Sequence, residues 1–327
     1  MDAIKFYTSS LAKEDKEKIS EISRNNVDSL IQDFYSMDHN SLKLIFSGHK
    51  FINHHDLNKR GLHILRMILA DQNIQKRRDS LKLQECRESK QIIENGFLKV
   101  ENFLKEDQFE ELYKKVKDTV EKLPNDKFGK TSIQISNPQK FYENSSKILD
   151  IIKQVSGVDK FINDHRHGYP RTDIDYLLHE GGEQDLQYSI HSDIFYTSVK
   201  CWLYIEDVDE DNGAFCYVPK SHLNSFERLS WDYENSLIAA DKSNKLYFQR
   251  MERNGVPGSF RICEGDKQGE LKELKDKKFE DPISMVGKKN TLIVANTKGF
   301  HGRGRAEKGK KRIKIQSQYR INPFIIL

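Results

Sequence analysis

The chain has 327 residues, and its 54 Lys and Arg nearly balance its 50 Asp and Glu, which leaves a formal net charge of +4. A chain of this length can bury a sizeable core, and the near balance argues against a dedicated nucleic-acid binder, since such proteins usually carry a stronger basic bias. No apolar run approaches the ~20 residues that a membrane helix needs, so we predict no membrane segment.

The cysteines and the N-terminus bear on the compartment. Cys86, Cys201, Cys216 and Cys263 form no C-x-x-C pair, and the first residues lack the apolar segment of a signal peptide. We therefore expect reduced thiols in a cytoplasmic protein.

Residues 1–90 are predicted to form a helical N-terminal extension. Apolar residues recur at helical spacing between Ile19 and Phe34, and a second apolar run extends from Ile64 to Leu69. The extension is expected to pack on the domain that follows it.

Residues 91–327 are predicted to form one α+β domain. The stretch "IIENGFLKVENFLKEDQFEELYKKV" indicates a short strand, a turn and an amphipathic helix. After about residue 170, short alternating runs separated by turns are typical of an antiparallel sandwich or barrel. A charged insert at about 223–282 interrupts the series, and we interpret it as an irregular lid or binding loop.

The stretch "SIHSDIFY", residues 189–196, places two metal-compatible side chains close together. In a strand, His191 and Asp193 would point to the same face because successive side chains alternate. A histidine on a strand is more often a hydrogen-bonded structural residue than a ligand, so this pair needs further support.

That support comes from "TLIVANTKGFHGRGRAEKGKKRIKIQSQYRI" near the C-terminus. Here a buried strand runs into His301, and the next strand opens with Arg312. Two histidines and one aspartate on neighbouring strands would form the facial triad that holds Fe(II) and leaves positions open for other ligands. The planar guanidinium of an arginine suits bidentate binding of a carboxylate.

These motifs, with "CWLYIEDVDEDNGAFCYVPKSH" between them, resemble the phytanoyl-CoA dioxygenase family of Fe(II)/2-oxoglutarate oxygenases over roughly residues 92–323. The resemblance implies a double-stranded β-helix (jelly-roll) core with flanking helices. It further implies that His191, Asp193 and His301 bind Fe(II) and that Arg312 anchors the distal carboxylate of 2-oxoglutarate. O2 is then expected to react together with 2-oxoglutarate and the substrate. Trp202 occupies the position of a tryptophan that lies near the cosubstrate in some members, although ordinary core packing would also explain it.

The chain departs from the family pattern beside the distal histidine and along the last strand. Arg303 stands where many members have a small hydroxyl residue, and Lys314 shares a strand face with Arg312. Because a buried lysine is costly unless it is paired, we hypothesise that Lys314, with Arg303 or Arg305, binds a substrate carboxylate or phosphate. The alternative is that these residues are solvated charges.

The resemblance and the basic residues together lead us to expect oxidation of an unactivated C–H bond in a small, anionic metabolite, with release of succinate and CO2. Hydroxylation and oxidative cyclisation or desaturation are all open outcomes. A small-molecule partner is expected, with neither nucleic acid nor membrane, and the oligomeric state is open. The alternatives are a nucleic-acid- or protein-modifying oxygenase and a non-catalytic jelly-roll binding protein.

Overall fold

The computed structural model describes residues 11–38, 41–42, 45–46, 54–82, 85–122, 129–134, 146–157, 171–179, 188–252, 256, 258–262, 267–320 and 322–324. The described N-terminal residues are helical, as predicted: α1 Lys13–Ser23, α2 Val27–Ser36, α3 His55–Lys59 and α4 Leu62–Leu81. The side chain of Asn26 caps α2 by accepting a hydrogen bond from the Asp28 amide. None of the helices in these ranges combines the length and apolar character that crossing a bilayer requires.

A helix, a strand and a second helix lead into the domain, which confirms the strand–turn–helix prediction. Helix α5 covers Arg87–Asn95, β1 covers Phe97–Val100 and α6 covers Glu106–Val120. Gly96 ends α5 in the left-handed region at φ 92° and donates its amide to the Ile92 carbonyl. Only a glycine fits there easily, because an added Cβ would lie 2.3 Å from the Tyr217 hydroxyl oxygen.

Two antiparallel sheets form the core of the domain. The remaining elements before the insert are β2 Gly129–Gln134, α7 Ser146–Ser156, β3 Arg171–Leu178, β4 Ser198–Tyr204 and β5 Phe215–Tyr217. After the insert come β6 Ile283–Ser284, β7 Leu292–Asn296, β8 His301–Arg303 and β9 Lys311–Arg320. The large sheet has the order β1-β7-β4-β9-β3-β2, and the small sheet has the order β6-β5-β8.

The chain alternates between the two sheets, which is the connectivity of a double-stranded β-helix. It passes from β3 in the large sheet to His191, which bridges to His301 of β8 in the small sheet, and then returns to β4. The later strands repeat the pattern, with β7 and β9 in the large sheet and β8 between them in the small one. The predicted jelly-roll class is therefore confirmed.

The insert is helical, so the prediction of an irregular segment was wrong. It contains α8 Phe226–Ala239, α9 Tyr247–Arg250 and α10 Lys267–Asp276. Its apolar side chains form a buried cluster that includes Trp231, Phe260 and Leu274 and reaches Phe300, the residue before His301. The prediction failed because the insert is rich in charged residues. Its few apolar residues are far apart in the sequence, yet they meet in one small core and the charged residues lie around it.

Packing continues across the predicted boundary near residue 90. The cluster built from the N-terminal helices also contains Ile194, Phe195 and Tyr196, which follow Asp193 directly, and Leu229 of the insert. Helices α1–α4 thus pack against the segment that carries one of the predicted iron ligands.

Candidate metal centre and cosubstrate cleft

The structure brings His191, Asp193 and His301 together as the sequence predicts. One potential ligand atom from each lies within 4.8 Å of the others, and no second group of this kind occurs among the described residues. The backbones of His191 and His301 are joined by a reciprocal pair of hydrogen bonds of 2.8 Å each. The β-bridge between His191 and strand β8 therefore sets the spacing of the two imidazoles.

Both histidines are oriented by their own backbone neighbourhood. Nδ1 of His191 lies 2.7 Å from the Ser189 carbonyl oxygen, and Nδ1 of His301 lies 2.9 Å from that of Gly299. A carbonyl only accepts, so each Nδ1 carries the proton and each Nε2 keeps a lone pair for ligation. Nε2 of His191 is buried and has no hydrogen-bond partner among the described residues, as expected for a ligand atom aimed at a metal position.

Burial controls the charge of the second histidine. It lowers the pKa of His301 to about 3, with a further contribution from the neighbouring His191. The His301 imidazole is thus neutral across the physiological range, which is the state that binds a metal.

Asp193 is fully buried, and the charge next to it comes from a residue that the sequence interpretation missed. The ammonium of Lys200 lies 2.6 Å from Asp193 Oδ2, and Lys200 itself lines the cleft. Lys200 shares the inner face of β4 with Trp202 and Tyr204, so the alternation of that strand was a usable signal. What the sequence could not supply was the distance to Asp193.

A cleft leads from the triad to Arg312, with an empty volume of about 470 Å3 that is partly open to solvent. The Arg312 side chain is 5% exposed and donates through Nη1 to the Gly213 carbonyl. Its position at the start of β9 places a guanidinium inside the barrel, at the far end of the cleft from Lys200.

Trp202 lies in the wall of this cleft. Its Nε1 donates to Gln316 Oε1 at 2.9 Å, and its ring centroid is 4.2 Å from that of Phe215. The Phe215 ring is in turn 5.7 Å from the His301 ring. Trp202 therefore lines the cleft and is also packed in the core, and its place beside the cosubstrate stays a prediction.

Lys314 lines the cleft as predicted, but it has a counter-charge within the protein. Asp175 Oδ2 lies 3.5 Å from the Lys314 ammonium and also forms an ion pair with Lys130. Burial lowers the pKa of Lys314 well below its usual range, while Asp175 opposes this effect. Cross-strand pairing of β3 with β9 thus gives Lys314 a counter-charge within the protein, and its role in binding the substrate stays a prediction.

The other two predicted substrate residues differ in position. Arg303 is half-buried at the end of β8 and lines the cleft. Arg305 is exposed and lies outside the set of residues that line it. His222, in contrast, is held away from the triad by a 2.9 Å hydrogen bond from its Nε2 to the Ile93 carbonyl.

A jelly roll with two buried imidazoles, a buried carboxylate and an interior arginine defines a non-haem metal-dependent oxygenase class. The sequence model of the phytanoyl-CoA dioxygenase family matches residues 92–253, about half of the chain. Through this segment the chain belongs to that family, and it is thus an enzyme of the Fe(II)/2-oxoglutarate-dependent dioxygenase class. The matched segment contains His191 and Asp193 but ends before His301 and Arg312. It is the structure that places these two residues at the same site as His191 and Asp193.

Solved structures with a similar fold include three enzymes at low identity. EctD from S. alaskensis, with 2-oxoglutarate and 5-hydroxyectoine, is 13% identical with a TM-score of 0.45 and covers 74% of this chain and 80% of its own. The non-heme, α-ketoglutarate-dependent epimerase SnoN is 11% identical, with a TM-score of 0.42 and coverages of 72% and 81%. The carbocyclase SnoK is 13% identical, with a TM-score of 0.42 and coverages of 73% and 85%. No curated protein sequence matches the chain.

Proposed function

We propose that the protein oxidises a C–H bond of a small, anionic metabolite, using Fe(II) held by His191, Asp193 and His301. The observation that carries this proposal is the orientation of the two imidazoles. Each Nδ1 is tied to a backbone carbonyl, and the potential ligand atoms of the three residues lie within 4.8 Å of one another. Two nitrogens and one carboxylate oxygen are the donor set of the facial triad, which suits Fe(II) and leaves room for further ligands.

The cosubstrate part of the proposal assigns the distal carboxylate of 2-oxoglutarate to Arg312. The guanidinium is buried, permanently charged and able to donate two parallel hydrogen bonds to a carboxylate. Trp202 forms the wall between this position and the triad, where its ring would limit how the cosubstrate lies.

When bound, iron and 2-oxoglutarate supply oxygen activation, with loss of CO2 and formation of succinate. The residues of this chain contribute position and exclusion of water. The triad is at most 4% exposed, and the apolar side of the cleft is closed by Trp202 and Phe215. Holding the reacting carbon at a fixed place determines whether hydroxylation, cyclisation or desaturation follows.

The charge of the cleft supports an anionic substrate. Four cationic side chains line it: Lys200, Arg303, Arg312 and Lys314. We assign Arg312 to the cosubstrate, and we propose that Arg303, with Lys200 and Lys314 beside their partners Asp193 and Asp175, attracts a substrate carboxylate or phosphate. We further propose a cytoplasmic location, which the free thiols of Cys86, Cys201 and Cys216 favour.

The test is an anaerobic titration of the metal-free protein with Fe(II) and 2-oxoglutarate, followed through the weak visible metal-to-ligand charge-transfer band. We expect a band that is absent in His191→Ala and weaker in Arg312→Ala. Succinate release with a panel of carboxylates and phosphates then identifies the substrate. A wild-type protein that binds Fe(II) tightly without this band would refute the oxygenase assignment and favour a binding protein.

A further inference from the structure

The Lys200–Asp193 pair is an unusual neighbour for a metal ligand. The ammonium lies 2.6 Å from Asp193 Oδ2, and the two side chains are 10% and 0% exposed. Lys200 also lines the cleft together with His191 and His301. A buried carboxylate without a counter-charge is strongly disfavoured, so Lys200 stabilises Asp193 in the metal-free protein.

Metal binding would change the electrostatic environment of the Lys200 ammonium. Once Asp193 coordinates a divalent cation, its negative charge is shared with that cation, and its attraction for Lys200 weakens. An ammonium then lies in a low-dielectric site beside a second positive charge, which is unfavourable until an anion approaches both. The natural ligand of such an arrangement is a carboxylate.

The sheet register separates this position from that of Arg312. Lys200 pairs with Gln318 across β4 and β9, whereas Tyr204 pairs with Lys314, two residues from Arg312. The four residues from Lys200 to Tyr204 span about 13 Å of strand, and Arg312 lies two residues beyond Lys314 in the same direction, so Lys200 and Arg312 are at opposite ends of the cleft. One small carboxylate cannot satisfy both cations.

Building on the proposed function, we propose that Lys200 is an anion-binding residue at the metal end of the cleft. It is held by Asp193 while the site is metal-free, and it binds a ligand carboxylate once Asp193 coordinates the metal. The carboxylate belongs either to the keto-acid end of 2-oxoglutarate or to the substrate. Lys200 thereby makes binding of the metal and of an anionic ligand mutually dependent.

The experiment compares wild type, Lys200→Met and Lys298→Met under anaerobic conditions. Methionine keeps the unbranched shape and most of the length of the side chain and removes the charge. Lys298 is the matched control, because it is fully buried and forms a 2.6 Å ion pair with Asp71 but does not line the cleft. Fe(II) affinity is measured by calorimetry alone and with 2-oxoglutarate, and acetate affinity for the loaded site is read from the charge-transfer band. Near-ultraviolet circular dichroism verifies folding.

For Lys200→Met we expect Fe(II) alone to bind about tenfold tighter than in wild type, since a competing positive charge is gone. If the carboxylate comes from the cosubstrate, the tightening of Fe(II) binding by 2-oxoglutarate falls about tenfold. If it comes from the substrate, that tightening persists and acetate affinity falls about tenfold instead. Lys298→Met should match wild type within about twofold in every arm.

Three outcomes would overturn the proposal. The first is weaker Fe(II) binding by the same factor in every arm of Lys200→Met, which would mean that Lys200 only orients Asp193. The second is tighter Fe(II) binding with both anion arms unchanged, and the third is no difference from wild type. Each of these outcomes counts against the role of Lys200 only when the wild-type protein gives the charge-transfer band. Absence of that band in the wild-type protein would instead refute the proposed function.

Discussion

Removal of residues 1–90 is predicted to destabilise the remaining domain, although the sequence pattern marks them as an extension. The N-terminal helices cover Ile194, Phe195, Tyr196 and Leu229, none of which is more than 8% exposed. Burial of such side chains contributes about 1.5–3 kcal/mol each, so exposing all four costs about 6–12 kcal/mol. Total stabilities are only about 5–15 kcal/mol, so we expect the fragment 91–327 not to fold stably.

The assay is thermal unfolding of the fragment and of the full chain, together with the Fe(II)/2-oxoglutarate charge-transfer band. Leu65→Ala in the full chain gives a milder version, because Leu65 is fully buried in the same cluster and its truncation should cost about 2–5 kcal/mol. A fragment that unfolds cooperatively at the temperature of the full chain and gives the same band would refute the reasoning, since the shared cluster would then contribute nothing.

Three further predictions concern single side chains. Arg312→Lys should weaken 2-oxoglutarate binding by about 10- to 100-fold without changing Fe(II) affinity, because an ammonium cannot form the bidentate pair; equal affinity in a 2-oxoglutarate titration would contradict the assigned role. Gly96→Ala should lower the free energy of unfolding by about 2–4 kcal/mol, because the new Cβ meets the Tyr217 hydroxyl at a positive φ; urea denaturation with an unchanged midpoint would count against this packing. His222→Gln should flatten the pH dependence of stability. Burial lowers the pKa of His222 to about 4, so between pH 6.5 and 4 the unfolded chain takes up a proton that the folded protein does not. Stability is therefore lost as the pH falls, by about 2 kcal/mol between pH 7 and 5 for this group, and glutamine can keep the hydrogen bond to the Ile93 carbonyl. Urea denaturation at both pH values checks this, and an identical pH slope in the variant would show that His222 is not responsible.

Local patterns predicted a large part of the fold. Helical spacing from Ile19 to Phe34 identified α1 and α2, and strand alternation placed Arg312, Lys314 and Gln316 on one face of β9. These features depend on neighbours a few residues apart, so they can be read directly along the chain. The insert was misinterpreted because its core joins residues as distant as Trp231 and Phe300, which no local window compares.

At the candidate site, too, local sequence patterns predicted some features and contacts between distant residues decided others. The sequence alone determined which residues could carry the chemistry, since His191, Asp193, His301 and Arg312 follow from residue type, order and spacing. Only the tertiary structure decided which charged side chains lie next to one another in the cleft. Asp175 meets Lys314 through the pairing of β3 with β9, and Lys200 meets Asp193 where β4 follows the ligand segment. Charges act over a few ångströms of space rather than along the chain, so their balance becomes visible only when the strands are in register.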